Sequence, residues 1–435
     1  MVLRQVALLS VVVVAVMPAK AQTERQMTVD ELFQLVESNS KTLQEQKISV
    51  EFARKGIEAA RAQRLPDVNA SLSASYNGNV VVMDRDFANA QGFSSPHFGN
   101  SFALEAQQVV YAGGAIDAGI RLAELQRDMA QNMEHSTLNI ERFKALGQYL
   151  DLFKIQNRMQ VYEQNIALTS RLIDDIRAKQ EQGMALRNDV TRYELQMETL
   201  RLGLRRLQDQ QAILNHQLCN TLGLNNVDIK PDTTLIDLAL AQDGEGYWQQ
   251  AALATSPHIE QSELSTRMAE QQLKLAKSEM LPKLAVVAAD NFNGPFTYDI
   301  PPIDKNINYW YVGVGLRYNI SSLFKQNKKV RQAETGVQRS KEQQKVVAEG
   351  LDNQVQQAWT LYQQTYADLD TQRKSVQLAR QNYQVVSDRY MNQLELISDM
   401  LDASNILLDA ELQEVDARIN IVYAYYRMKY IAGVL

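Results

Sequence analysis

Residues 60–72 read ARAQRLPDVNASL and residues 276–288 read AKSEMLPKLAVVA, so the same junction occurs twice in the chain. In each copy a polar helical stretch stops at Leu-Pro, and alternating residues typical of a strand follow. The two junctions lie 216 residues apart (281 − 65). Further along, the offset settles at 210 residues (433 − 223), where Gly223 corresponds to Gly433. The chain is therefore predicted to contain two equivalent halves that form one body.

Each half contains a helical stretch far longer than a compact domain needs. A heptad pattern without proline runs over about 116–182 in the first half and 325–390 in the second. At 1.5 Å per residue, roughly 65 residues make a rod of about 100 Å. Return helices are expected at about 188–222 and 399–431, and helices at 28–64 and 247–280 precede the strands. The sequence thus predicts two long helical hairpins.

Four stretches alternate between apolar and polar residues, as strands with one wet face do. The expected strands are 67–82, 100–111, 283–296 and 309–322. Each is about long enough to cross a bilayer obliquely, which takes roughly 9–11 residues. Four strands cannot close on themselves and lipid does not tolerate open edges, so a spanning sheet has to be completed by other copies of the chain. Two copies would give a filled barrel, so an aqueous conduit favours three or more.

The N-terminus has the pattern of a secretory signal peptide, predicted at 1–21. Arg4 supplies a positive end, an apolar run follows, and Ala19-Lys20-Ala21 fits a cleavage site. The remaining chain divides into a first repeat at 22–223, a linker at 224–246 and a second repeat at 247–435. The only cysteine, Cys219, lies among leucines and is expected to be a buried apolar residue.

Composition and motif content argue against several classes of protein. The formal net charge of −6 gives no basic footprint for nucleic acid. The four histidines are scattered without metal-ligand spacing, and no glycine-rich phosphate loop follows a strand. We therefore predict that the chain is not an enzyme and has neither a metal site nor a cofactor.

The turns that join the paired helices carry the most specific motifs. Residues 182–190 read QGMALRNDV, and residues 390–403 read YMNQLELISDMLDA. With the two Leu-Pro junctions and the duplication, these turns resemble the TolC-like outer membrane efflux channels over nearly the whole mature chain. The resemblance implies a mainly α fold with a membrane β-barrel, in which a homotrimer forms a 12-strand barrel in outer membrane lipid and an α-helical tunnel in the periplasm.

The same resemblance implies a function and partners. The channel would be the exit duct of a tripartite efflux or type I secretion system. It would dock a periplasmic adaptor at its helical tips and work with an inner-membrane pump of the RND or ABC type. Heptads alone indicate only helix pairing, so a soluble periplasmic coiled-coil scaffold is the alternative.

Two aspartates at the second turn are candidates for a gate. Asp399 and Asp402 are three residues apart and so share one helix face. In a trimer they would place six carboxylates at the narrow end of the tunnel, where they should select cations. The alternative is that both are solvated and stabilise the start of the return helix, with Asp399 as its N-cap.

The resemblance also implies tip residues that hold the channel closed or contact the adaptor. Asp189 and Tyr390 occupy positions that match a closing link in the family. Glu395 stands where the family often has an arginine, and Arg187 or Arg389 is its candidate partner. The expected docking residues are Gly183, Met184, Leu186, Gln393 and Leu394. Gln393 departs from the family pattern, which has glycine at that position.

Overall fold

The computed structural model describes residues 23–225, 227–232, 243–297 and 299–435. The predicted signal peptide, 1–21, lies outside the described residues, as do 233–242 within the predicted linker. The helices are α1 (Val29–Asn39), α2 (Lys41–Ala62), α3 (Ala115–Glu181), α4 (Arg187–Leu222), α5 (Glu245–Thr255), α6 (Pro257–Ser278), α7 (Ser322–Met391) and α8 (Ile397–Ala432). The strands are β1 (Thr23–Met27), β2 (Asp67–Tyr76), β3 (Val80–Val82), β4 (Gln91–Phe93), β5 (Phe98–Tyr111), β6 (Val227–Pro231), β7 (Lys283–Gly294) and β8 (Ile307–Arg317).

Two rods with their return helices dominate the fold, as the heptad pattern predicts. Helix α3 has 67 residues and α7 has 70, which correspond to about 100 Å each. Helices α4 and α8 have 36 residues each and run back along part of these rods. Helices α2 and α6 pack along the remaining part of the rods. In each half, two helices therefore pack one after the other along a single long rod.

The helices expected at 28–64 and 247–280 are each broken in two, at Ser40 and Ser256, whose ψ angles of 122° and 124° are extended. Both breaks meet the end of a return helix. Asn39 Nδ2 donates to the carbonyl of Leu222 at 2.9 Å, and Thr255 Oγ1 donates to that of Ala432 at 2.6 Å. Since the last carbonyls of a helix lack partners within it, these side chains supply the missing donors.

A four-stranded antiparallel sheet with the order β2-β5-β7-β8 joins the two halves. The strand expected at 67–82 is divided into β2 and β3. Strand β3 pairs with β4 and forms a small separate hairpin. The strand expected at 309–322 ends at Arg317, because Arg317 pairs with Lys283, the first residue of β7, and no partner remains beyond it. Edge strands β2 and β8 expose apolar side chains: Leu72 and Leu316 are 80% and 69% exposed.

A second, two-stranded sheet pairs the start of the described chain with a strand in the predicted linker. Strand β1 pairs in parallel with β6. The buried Tyr149 connects the two, because its hydroxyl donates to the Met27 carbonyl at 2.6 Å and accepts from the Asp232 N–H at 2.9 Å. Cys219 is buried nearby, and burial raises the pKa of its thiol. The first residues of the described chain are thereby fixed to the middle of the molecule.

The core is divided along the length of the molecule. One buried cluster surrounds β1, β6 and the middle of α3, and another lies between α7 and α8. A third lies at the far ends of both hairpins. No helix in the described part of the chain combines the length and hydrophobicity needed to cross a bilayer.

Candidate functional site at the helical tips

The two turns at the ends of the hairpins have the same backbone geometry; we call them the first tip (182–186) and the second tip (392–396). Gly183 and Gln393 have φ angles of 73° and 65°, in the left-handed region. Met184 N–H donates to the Lys179 carbonyl at 2.9 Å, and Leu394 N–H donates to the Arg389 carbonyl at 2.8 Å. These bonds form the helix-ending motif that normally has glycine at its left-handed position. The second tip makes this turn with glutamine.

Both tips pack on one apolar core, which is formed by the adjoining ends of α3, α4, α7 and α8. It consists of Leu172, Ile173, Ile176, Val190, Tyr193, Met197, Tyr390, Ile397 and Met400. Tyr193 is 1% exposed, and its hydroxyl has no hydrogen-bond partner among the described residues. Burial raises the pKa of Tyr193 well above its usual range. Because the core joins both hairpins, the two tips are packed as one unit.

Asp399 and Asp402 lie on one exposed face of α8, one turn apart. Helix α8 begins at Ile397 with Leu396 as its N-cap, so Asp399 occupies the third position of the helix and is not the N-cap. A negatively charged side chain in the first turn interacts favourably with the positive end of the helix dipole. The prediction that Asp399 is the N-cap is therefore wrong, although its carboxylate still stabilises the first turn of α8.

Within the single subunit the expected closing residues have local contacts, and their links to neighbouring hairpins stay a prediction. Asp189 Oδ2 accepts from the Leu186 N–H at 3.1 Å and caps α4. Burial, reinforced by the charge of Asp189, raises the pKa of Tyr390 to about 12. Asp189 is thus near Tyr390, but no hydrogen bond joins the two side chains in the described structure. Arg187 forms no ion pair among the described residues.

Glu395 has a partner within its own tip. Arg389 Nε lies 3.0 Å from Glu395 Oε1. Of the two candidate arginines, Arg389 is therefore the one that pairs with Glu395 in a single subunit. The residues expected to meet an adaptor remain accessible: Met184, Leu186 and Leu394 are 46%, 70% and 67% exposed.

Lys179 joins the two tips and was not singled out from the sequence. Its Nζ donates to the Met391 carbonyl at 2.6 Å and lies 6.0 Å from the centre of the Tyr390 ring. The repeat contains a signal for it, because at the offset of 210 residues Lys179 corresponds to Arg389. The first tip has no acid equivalent to Glu395, and Lys179 bonds instead to the last residue of α7, directly before the second tip. No group of metal-binding side chains occurs among the described residues.

Comparison with known proteins agrees with this architecture. The model of the outer membrane efflux protein family matches residues 32–224 and 248–434. No curated protein sequence matches the chain. Among solved structures, CusC shares 15% identity over 93% of this chain and 92% of its own, with a TM-score of 0.80.

Two further structures have the same fold. The outer membrane protein VceC from Vibrio cholerae matches with a TM-score of 0.75 and 15% identity, over 93% of this chain and 96% of its own. The CmeC outer membrane channel of Campylobacter jejuni matches with a TM-score of 0.74 and 14% identity, over 93% of this chain and 85% of its own. The family model covers both repeats and most of the chain, and the chain therefore belongs to the outer membrane efflux protein family.

Proposed function

We propose that the chain is a homotrimeric outer membrane channel that serves as the exit duct of a tripartite efflux or type I secretion system. The observation that carries this proposal is the sheet with two open edges. Strands β2 and β8 have 10 and 11 residues and expose one apolar face. In water, unpaired edges of this length tend to pair with another chain, and in lipid open edges are not tolerated.

Three copies would supply twelve strands, enough for a barrel with an aqueous lumen. The long hairpins would then continue the lumen into the periplasm as a helical tunnel. Their exposed sides are polar with scattered apolar residues such as Leu195 and Leu378, which suits lateral pairing with neighbouring hairpins. The tips would form the end of the tunnel that faces the inner-membrane pump.

At that end we propose two roles for the tip residues. Asp399 and Asp402 would form the constriction, with six carboxylates in the trimer. Met184, Leu186 and Leu394, with Gly183 and Gln393, would contact the periplasmic adaptor of an RND or ABC pump. Their exposure in the single subunit and their position beyond the shared apolar core support this assignment.

Extraction and mass measurement test the channel against the coiled-coil scaffold. The channel requires detergent for release from the outer membrane and has the mass of a trimer. A mature protein that is released by washing, as a monomer, would favour the scaffold.

Docking is tested with a matched pair of methionine variants. Met184→Glu should abolish adaptor-dependent export while the trimer still assembles, because a charge replaces an apolar contact at the first tip. Met133, on α3 far from the tips, is similarly exposed (41% against 46%), so Met133→Glu is the control and should keep export. Loss of the trimer in Met184→Glu alone would show that the tip is structural instead.

A further inference from the structure

The first turns of α7 carry exposed cations that no carboxylate neutralises. The cation cluster consists of Lys325, Lys328, Lys329 and Arg331. None of the four forms an ion pair within the described part of the chain, and the sequence has no acidic residue between Asp304 and Glu334. Farther along the same helix, Lys345 lies 2.8 Å from Glu342. The cluster is therefore an unbalanced positive surface at one end of the rod.

Exposed apolar side chains lie directly beside the cation cluster. Ile320, Leu323 and Phe324 are 67%, 44% and 77% exposed, just after β8 ends. The opposite side of α7 packs on α6, since Val330 is buried and Gln326 Nε2 donates to the Ala276 carbonyl at 3.3 Å. Lys329 borders a groove that is also lined by Ala269 and Gln272 of α6. Phe324, Lys325 and Lys328 are left on the side of the helix away from α6. A surface with both features fits the boundary of an anionic membrane.

The internal repeat shows that the architecture does not require these lysines. At the offset of 210 residues, Lys325, Lys328 and Lys329 correspond to Ala115, Ala118 and Gly119, listed here in the same order. The first half forms an equivalent strand-to-helix junction without them. Cations near the N-terminal end of a helix also oppose its dipole. The lysines therefore have no evident role in folding.

We propose that the cation cluster, with the neighbouring apolar residues, binds the anionic phospholipid surface on the periplasmic side of the outer membrane. This inference rests on the proposed function, in which the sheet spans that membrane. The cluster begins three residues after the start of α7, and its first two turns lie within about 15 Å of the sheet. That distance is covered by the headgroup layer together with the reach of its charge, about 8 Å at physiological salt.

Native mass spectrometry of the full mature protein in detergent tests the inference, because it counts bound lipids and reports the oligomer mass together. The protein is titrated with phosphatidylglycerol or phosphatidylcholine. Since each cation near an anionic surface contributes about fivefold in affinity, the wild type should prefer phosphatidylglycerol by at least about tenfold, and the preference should fall with added salt. The triple variant Lys325→Ala, Lys328→Ala, Lys329→Ala should lose most of it.

The matched control is the triple variant Lys341→Ala, Lys345→Ala, Lys374→Ala. It removes the same charge from α7, beginning about 28 Å beyond the start of the helix, and should keep the preference. Equal binding of the two lipids by the wild type, or equal loss in both variants, would overturn the inference.

The remaining outcomes would identify a different ligand or partner at this surface. Displacement of the lipid by excess inorganic phosphate would indicate a small-anion site and overturn the membrane assignment. Loss of the trimer in the first variant alone would indicate that the surface covers another copy of the chain. A wild-type trimer that conducts but shows no lipid preference contradicts only this inference, whereas a water-soluble wild-type monomer contradicts the proposed channel itself.

Discussion

The same chemical change at two buried tyrosines should alter stability in opposite directions. Tyr149 and Tyr193 are 0% and 1% exposed, so both hydroxyls are removed from water. The Tyr149 hydroxyl makes two hydrogen bonds, whereas that of Tyr193 has no partner among the described residues. We expect Tyr149→Phe to destabilise the protein and Tyr193→Phe to stabilise it, because only the first variant removes interactions.

The magnitudes follow from the contacts. Each hydrogen bond contributes about 1 kcal/mol net, so two bonds give up to about 2 kcal/mol. The Asp232 N–H also donates to the Met27 carbonyl at 3.1 Å, so both groups still have a hydrogen-bond partner when the hydroxyl is removed. The loss of stability in Tyr149→Phe should therefore be about 1–2 kcal/mol. A buried hydroxyl without a partner costs about 1–3 kcal/mol, so its removal in Tyr193→Phe should stabilise by about 1 kcal/mol.

Hydrogen–deuterium exchange of the mature protein in detergent measures both effects locally. Amides of β1 and β6 should exchange about 5- to 30-fold faster in Tyr149→Phe, while those near the tips stay unchanged. Amides in the first turns of α4 should exchange several-fold more slowly in Tyr193→Phe. A shift in the same direction in both variants would refute the reasoning, as would destabilisation by Tyr193→Phe, because that hydroxyl would then have a partner.

Three further predictions concern the tips and the effect of pH. Replacing Asp399 and Asp402 with alanine should raise single-channel conductance and weaken block by multivalent cations; unchanged block would remove them from the gate. Lys179→Met should speed amide exchange in the second tip, because the bond to the Met391 carbonyl is lost, and Lys179→Arg should largely restore protection; equal exchange in both variants would contradict the contact. Burial raises the pKa of Tyr149 to about 12 from its usual value near 10, so the folded state holds this proton more tightly than the unfolded chain. The free energy of unfolding that Tyr149 contributes by holding its proton should therefore be fully present below about pH 10 and be lost as the pH rises towards 12. Thermal unfolding across that range would measure the loss.

The sequence predicted the parts of the fold that depend on local pattern. Both long rods, their return helices and the four main strands were recognisable, because each carries its periodicity over many residues. The alternation predicts a longer β8, since Tyr318 and Ile320 continue it beyond Arg317, which already pairs with Lys283, the first residue of β7. A strand ends where its partner ends, and a single-strand pattern does not contain that information.

Long-range contacts were not predictable from the same pattern. Four of the five residues of β1 are polar, only Met27 is apolar, and the partner strand β6 lies about 200 residues away. At the tips, the positions of Asp399 and Gln393 were identifiable from the repeat. The partner of Lys179 was not, because a bond to a backbone carbonyl on another hairpin leaves no sequence signal.

The measurement that tests the central claim most directly is planar-bilayer recording of the detergent-extracted mature protein, with its oligomer mass determined on the same sample. The account predicts a trimer that inserts into the bilayer and gives discrete conductance steps. A folded monomer that neither binds lipid nor conducts would contradict it.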